Sequence, residues 1–214
     1  MGDFSNSFAE ISDLLQKGKA KEIIAAVENA LAQGASPADV LQKGLISGMG
    51  IIGGKFKNGD VFVPEVLLAA RAMNHASAAL KPALVAAGVK PIGKAIICTV
   101  KGDLHDIGKN LVRMMIEGRG VEVQDLGVDC PSDKIVEAVR GSDAKVVCLS
   151  ALLTTTMLGL KESIDALKAA GLRDKVKVMV GGAPVTQGFA DEIGADAYAP
   201  DAATAGEVCQ TYYN

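Results

Sequence analysis

Ala95-Ile96-Ile97-Cys98-Thr99-Val100, running directly into Lys101-Gly102-Asp103-Leu104-His105-Asp106-Ile107-Gly108-Lys109, is the stretch on which the fold turns. The first six residues form an apolar run with no polar alternation. Such a run predicts a strand buried on both faces, the kind found in parallel sheets. The polar residues that follow open an amphipathic stretch near 106–118, so they form the loop from the carboxyl end of a strand into a helix. The same rhythm repeats downstream. Strands are predicted at 95–100, 121–125, 146–150, 176–181 and 197–198, and helices near 106–118, 132–140, 157–170, 185–193 and 203–212. Regular alternation of this kind implies a doubly wound α/β domain.

Ligands of such domains bind beyond the carboxyl ends of the strands, where strand order reverses. For five parallel strands in flavodoxin-like (Rossmann-like) order, that point lies between the first and third strands. Their exits are the 101–109 loop and Ser150-Ala151-Leu152-Leu153-Thr154-Thr155-Thr156. Gly102, Gly108 and Lys109 superficially suggest a phosphate loop. The count fails, because five residues separate the glycines instead of four, and Asn110 follows where a magnesium-binding hydroxyl belongs. No G-x-G-x-x-G follows the first strand, so a dinucleotide fingerprint fails too. A receiver-type or flavin-type domain stays open on these grounds. Asp103 and His105 are two apart, so an extended loop points both side chains the same way. A metal-ligating histidine commonly gives its other ring hydrogen to a carboxylate, and Asp-x-His supplies that pair. The plainer alternative is that His105 only caps the helix starting at Asp106.

Upstream, the periodicity is helical. Ile11, Leu14 and Leu15, then Ile23, Ile24, Val27 and Leu31, recur at three and four, and four helices are predicted between about 5 and 86. Gly34 closes the second, and Ser36-Pro37 opens the third. The third carries Gly44, Gly48, Gly50, Gly53 and Gly54, each costing up to ~1 kcal/mol of helix propensity. Either close helix packing or a bulky neighbour on that face repays the cost. The fourth starts near Val63-Pro64-Glu65. Residues 81–94, with Pro82, Gly88, Pro91 and Gly93, read as a linker, which divides the chain into domains at 1–88 and 89–214.

Composition removes several functions. The chain has 214 residues, 49% apolar and 22% charged, with a formal net charge of −3. No block of like charge is dense enough to follow a phosphate backbone, so no nucleic-acid partner is expected. The longest uncharged run, 146–160, has 15 residues and falls short of a membrane helix. No secretory signal is seen, so a cytoplasmic protein is expected. Cys98, Cys130, Cys148 and Cys209 show no metal-ligand spacing. Cys98 and Cys148 read as small buried hydrophobes, and disulfides are not expected. Aromatic content of 4%, without tryptophan, argues against base-stacking platforms.

The full constellation is more specific than its parts. Asp103-x-His105-x-x-Gly108 is followed after 41 residues by Ser150-x-Leu152, and after 28 more by Gly181-Gly182. This resembles the signature of cobalamin-binding domains. The resemblance implies that the corrinoid's nucleotide tail leaves the cobalt and threads beside the sheet, where Gly108, Gly181 and Gly182 make room. It implies that His105 is the lower axial ligand to cobalt, held by Asp103 within the loop Gly102, Leu104, Asp106 and Ile107. Ser150 and Leu152 would line the tail. In the methionine synthase branch a hydroxyl six positions after the motif serine completes the relay, which here is Thr156, while Thr154 would touch the corrinoid. Tyr198-Ala199-Pro200-Asp201-Ala202 would close over a corrin edge.

Gly48-Met49, Phe56 and Asp60-Val61-Phe62-Val63-Pro64-Glu65 resemble the helical cap of methyl-carrying corrinoid proteins, the methanol, methylamine and O-demethylase type. Nearly the whole chain is then covered. The resemblance implies a four-helix cap that shields the upper face of cobalt, with Met49, Phe62 and Met73 as candidate shielding residues. His75 reads as a partly exposed helical residue. A chain of this size lacks a substrate barrel, so the implied partners are a substrate-specific methyltransferase, a methyl-acceptor methyltransferase and a reductive activase. A cobalamin sensor or storage module is the alternative.

Overall fold

The computed structural model describes residues 4–213. The chain divides into two compact units at Pro91–Ile92. The first is helical: α1 Ser5–Gln16, α2 Ala20–Ala32, a short α3 Pro37–Asp39, a π-helical stretch Val40–Ile46, α4 Ser47–Asn58 and α5 Val63–Ala86. Ile11, Leu15, Ile23, Val27, Leu45, Ile52 and Leu80 are buried and form its core, at ~1.5–3 kcal/mol for each such side chain.

The third predicted helix spans 37–58, but its ladder widens to i→i+5 bonds between Val40 and Ile46. Close helix packing accounts for two of its glycines. A Cβ on Gly44 would sit 2.9 Å from Ile11 Cγ2, and one on Gly48 would sit 3.2 Å from the Ser12 backbone, so both lie in close packing against α1, tightest at Gly44. Gly50 and Gly54 face open space.

The predicted 81–94 linker is too long. Helix α5 passes through Pro82 to Ala86 and is closed by Gly88 (φ +70°), beyond which Val89 N–H reaches back to Leu84 O at 2.9 Å. Proline removes one helical bond, but the left-handed glycine cap is what stops the helix. At the other end, Glu65 accepts a hydrogen bond from Phe62 N–H at 3.0 Å, and Pro64 lies in the first turn.

Of the residues expected to shield a cofactor, Met49 and Met73 lie in this core, whereas Phe62 is 69% exposed. His75 is also exposed. Met49→Ala and Met73→Ala are therefore each expected to destabilise the apo chain by about 2–5 kcal/mol. Phe62→Ala is expected to stay within about 0.5 kcal/mol of wild type. Denaturant titration of the three variants checks this.

The second unit holds β1 Gly93–Thr99, α6 Ile107–Glu117, β2 Val121–Asp125, α7 Ser132–Arg140, β3 Val146–Ser150, α8 Leu158–Ala169, β4 Lys177–Gly181, α9 Gln187–Ile193, β5 Ala197–Tyr198 and α10 Ala202–Thr211. The sheet is parallel throughout, in the order β2-β1-β3-β4-β5. That is the expected flavodoxin-like order, following a helical unit as the sequence implied. Alternate residues of each strand serve the two faces. Ile96, Cys98, Val147, Leu149, Val178 and Val180 pack on one side, and Ala95, Ile97, Val146, Cys148 and Met179 on the other. All four cysteines are free and buried. Thr99, Ser150 and Gly181 are register partners, so the last residues of β1, β3 and β4 line up along the carboxyl edge.

Candidate functional site

Strand order reverses between β1 and β3, and there the two exit loops meet around one carboxylate. Asp103 is fully buried although its neighbours Gly102, Leu104 and His105 are exposed. Its Oδ1 accepts from the backbone N–H of His105 (3.1 Å) and bonds the Nδ1 of the His105 ring (2.9 Å). Its Oδ2 accepts from Leu152 N–H (2.7 Å), Leu153 N–H (3.4 Å) and the Thr156 hydroxyl (2.7 Å). That hydroxyl also lies 2.9 Å from Leu153 O, so its single proton has two acceptors. Thr156, in a 3-10 turn that precedes α8, is thus the threonine next to Asp103, while Thr154 is exposed.

Burial alone would raise the pKa of Asp103. The bonds from Leu152, from the Thr156 hydroxyl and from the backbone and ring of His105 outweigh it, and the carboxyl is held well below the usual carboxylate range. A carboxylate only accepts, so Nδ1 carries a hydrogen, and in the neutral imidazole that leaves the lone pair on Nε2. Nε2 has no hydrogen-bond partner among the described residues, and half of the ring is exposed. Because the folded pKa is depressed, Asp103 contributes stability that is full above its unfolded value, ~3.9, and is lost as pH falls through the folded value. The stability gap between wild type and Asp103→Asn, read by denaturant titration, is expected to be complete at pH 7 and to close below the ordinary carboxylate range.

Residues outside the motif hold the loop. The Thr99 hydroxyl donates to His105 O at 2.8 Å. Asp129 Oδ1 accepts from Gly102 N–H at 2.7 Å, and Asp129 N–H donates to Asp103 O at 2.9 Å. Sequence reasoning missed both. Thr99 looks like one more strand residue. Asp129 lies in a Gly127-Val128-Asp129 turn, whose only visible signal was the glycine.

The predicted glycines have different reasons to be glycine. Gly102 adopts φ +81°. Gly182 adopts φ +127°, and a Cβ there would lie 1.8 Å from Ala151 O; on Gly181 one would lie 3.1 Å from Ala199 O. The chain's own backbone requires glycine at 182, whereas at 181 an added Cβ would only press on Ala199 O. Gly108, in the first turn of α6, has nothing within 4 Å of where its Cβ would be. Ser150 is partly exposed, and its hydroxyl has no partner among the described residues. Leu104, Ile107, Leu152, Leu153 and Leu158 are exposed around the same edge. Asp106 accepts from the Asn110 side chain at 3.0 Å. Asp201 caps α10 by accepting from Thr204 N–H (2.8 Å) and the Thr204 hydroxyl (2.7 Å), and Ala202 is buried. Both have structural work of their own.

Among the described residues, no group of three or more His, Cys, Asp or Glu side chains could hold a metal. His105 Nε2 is a single nitrogen available at this edge, which suits a metal that carries its other ligands with it. The exposed leucines, the open space at Gly108 and the lone hydroxyl of Ser150 suit a large, partly apolar macrocycle with a polar appendage. That defines a class: a doubly wound domain for a metal already held in its own ring.

The comparisons give the family. Two models, each described as a B12 binding domain, match residues 93–207 and residues 8–81. The chain belongs to the B12-binding family, and its cofactor is cobalamin or a related corrinoid. It is 42% identical to dimethylamine corrinoid protein 3 of Methanosarcina acetivorans over 96% of each chain. It resembles the crystal structure of a cobalamin-binding protein from Desulfitobacterium hafniense, with 34% identity, a TM-score of 0.81 and 99% of each chain covered. It also matches the methanol:cobalamin methyltransferase complex of Methanosarcina barkeri, at 29% identity and a TM-score of 0.87, over 97% of this chain and 80% of that one. No helix of the described residues is long and apolar enough to cross a membrane.

Proposed function

We propose that this chain is a cytoplasmic methyl carrier. It would stand between a substrate-specific methyltransferase acting on a methylamine and a second methyltransferase that delivers the methyl group to an acceptor, with a reductive activase restoring the reduced metal. When bound, the corrinoid supplies a cobalt centre able to take up and give up a methyl group. The observation that carries the reading is the Asp103–His105 pair, in which Nδ1 is held at 2.9 Å by a buried carboxylate and Nε2 is left free to ligate. The similarity to a dimethylamine corrinoid protein over 96% of each chain favours methylamines as the substrate class.

The residues then have separable roles. His105 would hold the cobalt through its free Nε2. Asp103 fixes the tautomer and orientation of the ring and makes it a more basic ligand, and Thr156 is the next group in the same hydrogen-bonded chain. Gly102, Leu104, Asp106 and Ile107, in the same loop, would contact the corrin. Gly108, Ser150 and Leu152 border the space for the nucleotide tail, backed by Gly181 and Gly182. Thr154, Asp201 and Ala202 lie on the same carboxyl edge. Phe62, exposed on the helical unit, is the shielding candidate that the core does not already use.

The test is to load the purified chain with cobalamin, reduce it, and offer mono-, di- and trimethylamine, methanol and a methyl thiol, each with its methyltransferase. The cobalt absorption bands report the outcome. Methylation by an amine-specific partner is expected. Normal corrinoid uptake with failure of every donor would favour sensing or storage instead.

A further inference from the structure

The loop that carries His105 has almost no apolar anchorage. Lys101, Gly102, Leu104 and His105 are exposed, and Asp103 alone is buried. Its geometry therefore depends on hydrogen bonds, and two of those to its backbone come from one residue of a neighbouring turn. Asp129 takes Gly102 N–H on its carboxylate and gives its own N–H to Asp103 O. The next residue, Cys130, donates its N–H to Thr99 O at 3.0 Å, and Thr99 N–H donates to Gly127 O at 3.0 Å. Thr99, locked in this way at the end of β1, holds His105 O through its buried hydroxyl.

Asp129 is also the only non-glycine residue with a positive φ, +48°, among the described residues. Aspartate tolerates that conformation better than most side chains, but it remains an uncommon one. If a turn were all that was needed here, glycine would serve. The side chain is what the position adds, because it reaches Gly102 across 27 residues of sequence.

We infer that Asp129, together with Thr99, positions the His105 imidazole by bracketing the backbone of the ligand loop. This role is distinct from that of Asp103, which holds the ring itself. The inference rests on His105 being the cobalt ligand. It divides the work in two: Asp103 sets tautomer and rotation, while Asp129 and Thr99 set where the ring's backbone sits relative to the sheet. Neither touches the cofactor in this assignment, so both are positioning residues.

Four variants test it: Asp129→Gly, which relieves the backbone but removes the acceptor; Asp129→Asn, which keeps an acceptor; Asp129→Ala, which does neither; and Thr99→Val, which removes the donor at nearly constant shape. Each is loaded with cobalamin, and the fraction coordinated by a protein nitrogen is read from the visible spectrum and from the electron paramagnetic resonance of the cobalt(II) form. Thermal unfolding is followed in parallel. Asp129→Gly and Thr99→Val are expected to stay folded and to bind corrinoid, with imidazole coordination weakened by ~10-fold or more. Asp129→Asn is expected to rescue the wild-type spectrum. If Asp129→Gly and Thr99→Val both show the wild-type spectrum, the inference is overturned, and an unstable Asp129→Ala would then mark Asp129 as a turn residue only. Should Asp129→Gly fail to fold, Thr99→Val decides by the same criterion. Wild-type protein in which the corrinoid keeps its own base on cobalt overturns the ligand assignment and this inference together, which separates the two failures.

Discussion

Asp103→Asn is expected to weaken imidazole ligation of cobalt by ~10–100-fold, the usual scale for the partners that orient a metal ligand. The substitution conserves shape but not chemistry. Both oxygens of Asp103 face donors: His105 N–H and Nδ1–H on one side, Leu152 N–H and the Thr156 hydroxyl on the other. An amide has one oxygen, so its NH2 group must confront one of the two sides. Turned toward His105, it opposes the backbone N–H and drives the ring to the tautomer with hydrogen on Nε2, which cannot ligate. Turned toward Leu152, it opposes an N–H that now lies 2.7 Å away, although the threonine can rotate to accept. Either way a part-buried donor loses its partner, at about 1 kcal/mol of apo stability. Denaturant titration of the apo chain and the spectrum of the loaded chain measure the two effects separately. Wild-type affinity and spectrum in the variant would give the carboxylate another job.

The second large effect separates two glycines that a motif treats alike. Gly182→Ala is expected to damage the apo protein, because φ +127° is strained for any L side chain and the added Cβ meets Ala151 O. The backbone alone costs about 1–3 kcal/mol, and the overlap adds to it. Gly108→Ala should act in the opposite direction. The site is open and lies in the first turn of α6, so apo stability is expected to rise, by up to about 1 kcal/mol on helix propensity. If the nucleotide tail passes there, corrinoid affinity falls in that more stable protein, and Gly108→Leu lowers it further, by at least ~10-fold, on steric grounds. Thermal unfolding and equilibrium binding of cobalamin give the two readouts. Unchanged affinity in Gly108→Leu would move the tail elsewhere.

These contrasts show what a sequence does and does not reveal here. Strands β1 and β3 were legible because burial on both faces demands uninterrupted apolar runs, and their exits then located the site. The Asp103–His105 pair was legible because spacing in an extended loop decides which side chains meet. The π-helical stretch Val40–Ile46 was not, since its apolar spacing reads as an ordinary helix; it includes Gly44, which packs closely against Ile11, a contact with no local signal. Pro82 misled for the complementary reason: a helix can bridge one missing bond when its cap lies farther on. Asp129 was invisible because its role depends on a left-handed backbone and on a partner far away in sequence. Gly181 and Gly182 were placed correctly at the sheet edge, but a close approach of the chain to itself accounts for Gly182.

The most direct test of the account uses uniformly nitrogen-15-labelled protein loaded with unlabelled cobalamin and reduced to cobalt(II). If His105 holds the metal, the axial hyperfine splitting takes the nitrogen-15 pattern, and His105→Ala loses it. A nitrogen-14 pattern in labelled wild type would mean that the cofactor's own base still occupies the lower position, and would contradict the assignment on which the methyl-carrier reading stands.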